Sequence, residues 1–269
     1  MEEVSPSRKR LRLVIAGSLL IYGIMMLVLG SAWYSRQWIP GPFHFFDDLP
    51  EWKQMDKFAH FFWAFQVSAL AARLFRWAGL SAMRAAAFGA VMGFFFVSCI
   101  EIPDGFSNAY GASVYDLAAN ILGAGTFWLQ VRLWQSIKWW PKFSFHPSMF
   151  APLRPEVLGH TWLEQILKDY NGQTFWYSIT SDKLPLPSWL AIAVGVGAEG
   201  MIYGRDAENM AAHFTPGRRY FLSIDLNLQQ FTPKSSLGRT LFYVLNIIKI
   251  PAPTIELSTS GIRFHPLYF

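Results

Sequence analysis

The chain has 269 residues, of which 52% are hydrophobic and 17% aromatic but only 15% charged, whereas a soluble domain is roughly a quarter charged; the deficit points to lipid contact. A net charge of +5 would suit nucleic acid, but the basic residues neither cluster on a polar segment nor interleave there with stacking aromatics, which argues against nucleic-acid binding. The single cysteine, Cys99, excludes an internal disulfide and reads as a small buried hydrophobe.

The basic stretch Arg8-Lys9-Arg10-Leu11-Arg12 leads into an uncharged run from Leu13 to Tyr34, about the length of apolar helix that crosses a hydrocarbon core of ~30 Å. This predicts a first span, because a cleavable signal peptide would have an apolar region of only ~7–15 residues. Further apolar stretches run from Phe58 to Phe75, from Ala85 to Ile100 and from about Ala112 to Trp134. Residues 1–140 are therefore expected to form a membrane α-helical bundle of about four transmembrane helices. The second and third stretches are short, so their polar ends must reach the headgroups. An amino terminus in the cytoplasm places Arg8, Lys9, Arg10, Arg12, Arg73, Arg76, Arg84, Arg132 and Lys138 inside, against Arg36, Lys53 and Lys57 outside, the bias that sets topology. Gly89 and Gly93, and then Ala119 and Gly123, stand four apart, a spacing that lets helix backbones approach closely in lipid.

From Pro141 onward no apolar run is long enough to span as a helix, and a membrane-associated α+β domain is expected over 141–269. Pro155 to Asp169 reads as one amphipathic helix, broken by Asn171-Gly172. Tyr220, Leu222, Ile224, Leu226 and Leu228 alternate with Phe221, Ser223, Asp225, Asn227 and Gln229, the period of a strand with one wet face. Thr174 to Thr180, Trp189 to Gly197, Thr254 to Ser258 and Ile262 to Phe269 are its expected partners in a small antiparallel sheet, too small to close as a lipid-facing barrel. Leu237 to Ile250 reads as a helix capped by Ser235 or Ser236, apolar enough to lie on a membrane surface or to pack as a core helix. Gly195-Val196-Gly197-Ala198-Glu199-Gly200 imitates a glycine-rich loop, but no helix follows it and a bulged or turning strand fits better. Walker, dinucleotide, His-Glu-x-x-His, Cys-x-x-Cys and Gly-x-Ser-x-Gly patterns are all missing, and no cofactor is predicted.

The polar residues of the first half fall on the predicted outer side: His44, Asp47, Asp48, Asp56, Lys57, His60, Glu101, Asp104, Asp116 and Asn120. Asp56 and His60 share a face at the start of the second helix, Asp116 and Asn120 do so at the start of the fourth, and Glu101 closes the third. Charges at membrane depth are expensive and normally find partners inside a bundle. Two readings stand for this set. As a structural clasp, Asp56 caps its helix, Ser113-Val114-Tyr115-Asp116 forms a capping box, His60 bonds Asp116 or Glu101, and Lys57 pairs with Asp104. As a site, Asp56, His60, Glu101 and Asp116 hold a metal in a loose ligand set, or His60, oriented by a carboxylate, serves as general acid or base. The loop from Asp104 through Ser107 to Gly111 is either a lid, a headgroup contact or a plain connection.

Asp56-Lys57-Phe58-Ala59-His60, the run Glu101-Ile102-Pro103-Asp104-Gly105-Phe106-Ser107, and Ser113 with Asp116, Asn120 and Gly123 resemble an uncharacterised bacterial envelope family that includes the YfiM lipoprotein and is distantly VanZ-like. Longer members are similar also through Trp52-Lys53-Gln54-Met55-Asp56-Lys57, Lys168 to Thr174 and Ile250 to Glu256. The resemblance implies a bacterial envelope location and no established activity. Taken with the span pattern, it predicts a multi-pass inner-membrane protein that is not an enzyme. Such a protein would be an accessory or structural subunit of a membrane complex, or a binder of lipid or a hydrophobic partner. The alternative is a membrane-embedded enzyme acting on a lipid-linked or cell-wall substrate through His60, Asp56, Asp116 and Glu101.

Overall fold

The computed structural model describes residues 6–33, 41–180 and 186–268; Tyr34, at the expected end of the first span, Arg36 and Phe269 lie outside the described residues. The chain divides into two compact units, Met1–Leu49 with Lys57–Ile137, and Pro50–Asp56 with Lys138–Phe269.

The first unit is helical: α1 (Arg8–Trp33), α2 (Met55–Trp77, whose first two residues belong to the second unit), α3 (Ala82–Ser98), α4 (Glu101–Gly105) and α5 (Val114–Trp134). Among the described residues, the stretches Arg8–Val28, Glu51–Trp77 and Ala82–Gly105 are long and apolar enough to cross a membrane. Along α1, Leu13, Ile15, Leu20, Ile21, Leu27 and Val28 are all exposed, and a helix that is apolar all round belongs in lipid or a core. Its start is tied down: Ser7 N–H donates to Ala78 O at 3.0 Å, and Val14 packs with Ala71, Phe75 and Ala85.

Glycines set the packing of the other helices. A Cβ on Gly93 of α3 would stand 2.7 Å from the Ala64 carbonyl oxygen of α2, and one on Gly89 would stand 2.6 Å from Ser68 O. A Cβ on Gly123 of α5 would collide with the Phe61 carbonyl oxygen. Only hydrogen fits at these crossings, so α3 and α5 both press backbone to backbone on α2. Gly93→Val should push α2 and α3 apart at a cost of about 1–3 kcal/mol, measured as a lowered thermal midpoint of the detergent-solubilised protein.

The second unit is built on β1 (Trp139–Phe145), β2 (Gln173–Ile179), β3 (Leu190–Glu199), β4 (Gly217–Leu226), β5 (Ala252–Ser258) and β6 (Gly261–Tyr268). They form one six-stranded antiparallel sheet in the order of the sequence. Between the strands lie α6 (Pro155–Leu158), α7 (Trp162–Lys168), α8 (Asp206–Ala211) and α9 (Ser236–Leu245). The single helix expected over Pro155 to Asp169 is broken: Gly159, at φ +104°, separates α6 from α7, and Thr161 caps the second piece by accepting from Glu164 N–H. Ser235 caps α9 as expected, accepting from Gly238 N–H. The glycine-rich segment is strand β3, where a Cβ on Gly195 would strike the Trp176 ring. Strand β1 was not expected, because Pro141 lies within it opposite Tyr177. Pro141 is tolerated because β1 is the first strand; its free edge takes only the short extension 247–249, through Phe143 N–H to Ile247 O and Lys249 N–H to Phe143 O, each 2.9 Å.

The sheet curls over its polar face. Tyr268 of β6 meets the Thr174 hydroxyl of β2 at 3.2 Å and stacks on Phe221 of β4. Enclosed beneath are Lys142, Asp225, Lys249 and Glu256, whose side chains are fully buried. Lys142 Nζ lies 2.7 Å from Asp225 Oδ2, Ser178 donates to the same oxygen, and Lys249 Nζ stands 3.9 Å from Oδ1. Glu256 takes two hydrogen bonds of 2.9 Å from Arg219 and pairs with His265 Nε2 at 2.7 Å.

The segment before α2 belongs to this unit and is backbone-strained. Trp52, Lys53 and Gln54 have φ of 49°, 51° and 55°, a left-handed conformation that costs an L-residue roughly 1–2 kcal/mol. Contacts within the unit hold it: Trp52 N–H donates to Gly204 O at 2.7 Å, Lys53 pairs with Asp206 at 2.5 Å, Arg218 donates to Gln54, and Glu51 bonds Arg205 at 3.2 Å.

Candidate functional site

Within the helical unit, the start of α2, the residues just after α3 and the start of α5 bring their polar side chains together. Lys57 is the hub. Its ammonium bridges Asp48 Oδ2 at 2.5 Å and Asp116 Oδ1 at 2.6 Å, two carboxylates that the sequence did not pair with it. All three side chains are largely buried, at 12%, 14% and 6% exposure for Lys57, Asp48 and Asp116. Two carboxylates on one ammonium in a sheltered site are strongly interdependent, since each is stabilised by a charge that leaves with the lysine.

Ser113 ties the helix start to this hub. Its hydroxyl donates to Asp48 Oδ1 at 2.7 Å while accepting from Asp116 N–H at 3.1 Å, which makes it the N-cap of α5. In a capping box the acid three residues on would accept from the cap's own N–H. Here Glu101 Oε2 accepts that bond at 2.8 Å, from a different helix, while the Asp116 carboxylate turns to Lys57. Glu101 does not close α3, which ends at Ser98; it opens the five-residue α4. Ser113→Ala removes both the cap and the Asp48 bond, and should lower stability by about 1–2 kcal/mol, read as a shift in the thermal midpoint.

His60 faces the same cluster with its orientation fixed by a relay. Asn120 Nδ2 donates to Ser98 Oγ at 3.1 Å, which turns Asn120 Oδ1 toward His60 Nδ1 at 3.2 Å. Because Oδ1 can only accept, Nδ1 carries the proton. Nε2 then points at Asp116 Oδ1, 3.7 Å away, and Glu101 Oε1, 3.9 Å away, both beyond hydrogen-bond range. Among the described residues, Glu101 Oε1 accepts no hydrogen bond although it is buried.

The other expected residues make further contacts. Asp56, one turn before His60 on α2, takes a 2.9 Å hydrogen bond from the Tyr170 hydroxyl within the second unit. Ser107 is buried and accepts from Ala109 N–H at 3.2 Å, a local turn of the connection before α5. Asp104 lies on α4. His44 Nε2 lies 2.9 Å from the Tyr110 carbonyl, and Asp47 caps Leu49 N–H at 3.2 Å. The clasp contains one residue that the sequence did not single out, Ser98; its place seven residues after Val91 on an otherwise apolar helix gave no polar pattern to follow.

Residues 45–132 match a family described as "Predicted periplasmic lipoprotein (DUF2279)". The matched segment contains α2 to α5 and every member of the cluster from Asp48 to Asn120, while α1 and the six-stranded sheet fall outside it. No curated protein and no solved structure matches the chain. The helical core of this chain is thus similar to an envelope family of unknown function.

Proposed function

We propose that the protein is a non-enzymatic membrane protein of the bacterial envelope, an accessory or structural subunit of a membrane assembly or a binder of lipid, whose polar cluster is a clasp between helices. In this reading α1, α2, α3 with α4, and α5 cross the inner membrane, with the amino terminus in the cytoplasm. The cluster then faces the periplasm, the compartment named in the description of the matching family. α5 fits such a role by its 21 residues, a spanning length. No cofactor enters this reading.

One observation carries it. The cluster's two serine hydroxyls are engaged in structure, Ser113 on Asp48 and on the α5 cap, Ser98 on Asn120. Among the described residues of the cluster, both serine hydroxyls beside His60 are thus already committed, while Lys57 spends its charge on two carboxylates from different segments. The contrasting reading, acid–base chemistry on a lipid-linked or cell-wall substrate, is favoured by His60 Nε2 facing Glu101 Oε1 at 3.9 Å, a buried oxygen that accepts no hydrogen bond among the described residues. Single replacements of Asp56, His60, Glu101 and Asp116, scored for folding, recovery of associated proteins and the deletion phenotype, separate the two. The clasp predicts that loss of phenotype tracks loss of folding; variants that fold and assemble yet lose function would overturn it. Metal analysis of the purified protein tests the ligand-set alternative.

A further inference from the structure

The sheet presents apolar rows outward and encloses several charges on its inner face. Register places Val194 beside Leu222, Leu222 beside Ile255, and Ile255 beside Phe264, and the next row aligns Tyr220 with Leu257. These side chains share the outward face, and they are 42% to 65% exposed. The opposite, enclosed face carries the aromatic cluster of Trp176, Phe221 and Tyr268 together with Lys142, Asp225 and Glu256, and Lys249 from the segment before β5 joins them; these four charged side chains are at 0% exposure. A soluble sheet that docks a protein keeps its apolar face in the core and its charges in water. A lipid-facing sheet does the reverse, with an apolar exterior and a polar interior.

We propose that the outward face of β3 to β6 lies against the hydrocarbon of a phospholipid bilayer. Four features select lipid as the occupant. Among the described residues of this face, the one that carries a charge at neutral pH is Arg218, at the rim, where Gln54 engages it. From Tyr220 to Leu226 the apolar part of β4 is about 20 Å long at ~3.4 Å per residue, close to the band of about 25 Å on lipid-facing barrels. Half-exposed aromatics flank it, Tyr220 at one end and Trp189 just beyond the other, as aromatic side chains do at membrane interfaces. Finally, the chain runs without a break from Asp56, bonded to Tyr170 in this unit, into the apolar helix α2, so the unit is tethered at the bilayer. The proposal rests on membrane insertion of the helices.

The test uses the full chain with Cys99→Ser, reconstituted in nanodiscs of phosphatidylethanolamine and phosphatidylglycerol, with nitroxide labels at Leu222→Cys and Ile255→Cys. Collision with oxygen, which partitions into lipid, is compared with collision with a water-soluble nickel chelate. Ser260→Cys, in the exposed β5–β6 turn, is the aqueous reference, and Leu20→Cys on α1 the lipid reference. The expected result is an oxygen-to-nickel ratio at 222 and 255 that matches position 20 and exceeds position 260 several-fold. Nickel-accessible labels at 222 and 255 overturn the proposal in favour of a wet face, and labels that neither reagent reaches overturn it in favour of a second copy or another protein. If position 20 itself is nickel-accessible, the membrane reading of the helices fails, and the sheet proposal with it.

Discussion

Replacing Lys57 with methionine is expected to cost about 3–5 kcal/mol and to abolish recovery of folded protein at growth temperature. The side chain keeps its length and loses its charge, so Asp48 and Asp116 remain buried without the ammonium that they share; removing one partner of a sheltered ion pair has that magnitude. The damage should spread along the cluster. Asp48 holds the Ser113 hydroxyl and Asp116 begins α5, so an unpaired carboxylate at either position also weakens the cap. Lys57→Arg should cost less, because the charge survives while the geometry of two contacts of about 2.5 Å does not. Thermal unfolding in detergent, followed by circular dichroism, gives the order: wild type, then Arg, then Met.

The second large effect lies in the sheet unit. Asp225→Asn leaves Lys142 and Lys249 enclosed without a counter-charge, again at about 3–5 kcal/mol near neutral pH. The deficit should depend on pH, with a sign fixed by the lysines. Burial pushes Lys249 down to about 8, with Asp225 pulling the other way, and burial lowers Lys142 as well. Between about 8 and the ordinary lysine value the unfolded chain holds more protons than the folded one, so stability rises with pH there. In Asp225→Asn the lysines lose their protons more readily still, so the gap to wild type should narrow as pH rises toward about 8, the wild-type Lys249 value. At the acid end, burial works against the Glu256 charge, but the Arg219 and His265 bonds outweigh it and hold the carboxyl near 2. That contribution, about 3 kcal/mol from a shift of this size, is present above the ordinary glutamate range and is lost as pH falls toward 2. Equilibrium unfolding of wild type and Asp225→Asn across this range checks both signs.

The apolar runs were legible because helix length and composition are local properties. Strand β4 was legible for the same reason, since Tyr220 to Leu226 alternate strictly. What alternation does not encode is which face water touches. Tyr220, Leu222 and Ile224 look like a core face until the pairing shows Asp225, Lys142 and Glu256 enclosed and the apolar row outside. Strand β1 escaped notice because Pro141 argues against a strand unless the strand lies at an edge, and edge position is decided by pairing with β2 and the segment 247–249. The break at Gly159 was hidden by the apolar spacing on either side of it.

The polar cluster was legible as a set, because Asp56, His60, Asp116 and Asn120 sit at helix starts in i, i+4 pairs. Its internal wiring was not. Lys57 takes Asp48 from a connecting segment and Asp116 from another helix, and Glu101 completes a cap that Asp116 would ordinarily complete alone. Those pairings depend on the close crossings of α3 and α5 on α2 that Gly93 and Gly123 permit. Asp56, read with His60 as one pair, also takes a bond from Tyr170, far away in sequence, which the spacing does not encode.

The clasp is tested most directly by neutralising it completely. Lys57→Met should be severely destabilised, and adding Asp48→Asn and Asp116→Asn to it should restore most of the lost stability, because neither position then holds a buried carboxylate without its ammonium. Denaturant unfolding of the single, double and triple variants measures this coupling. Recovery of at least half of the Lys57→Met loss is the predicted result; a triple variant no more stable than Lys57→Met would contradict it.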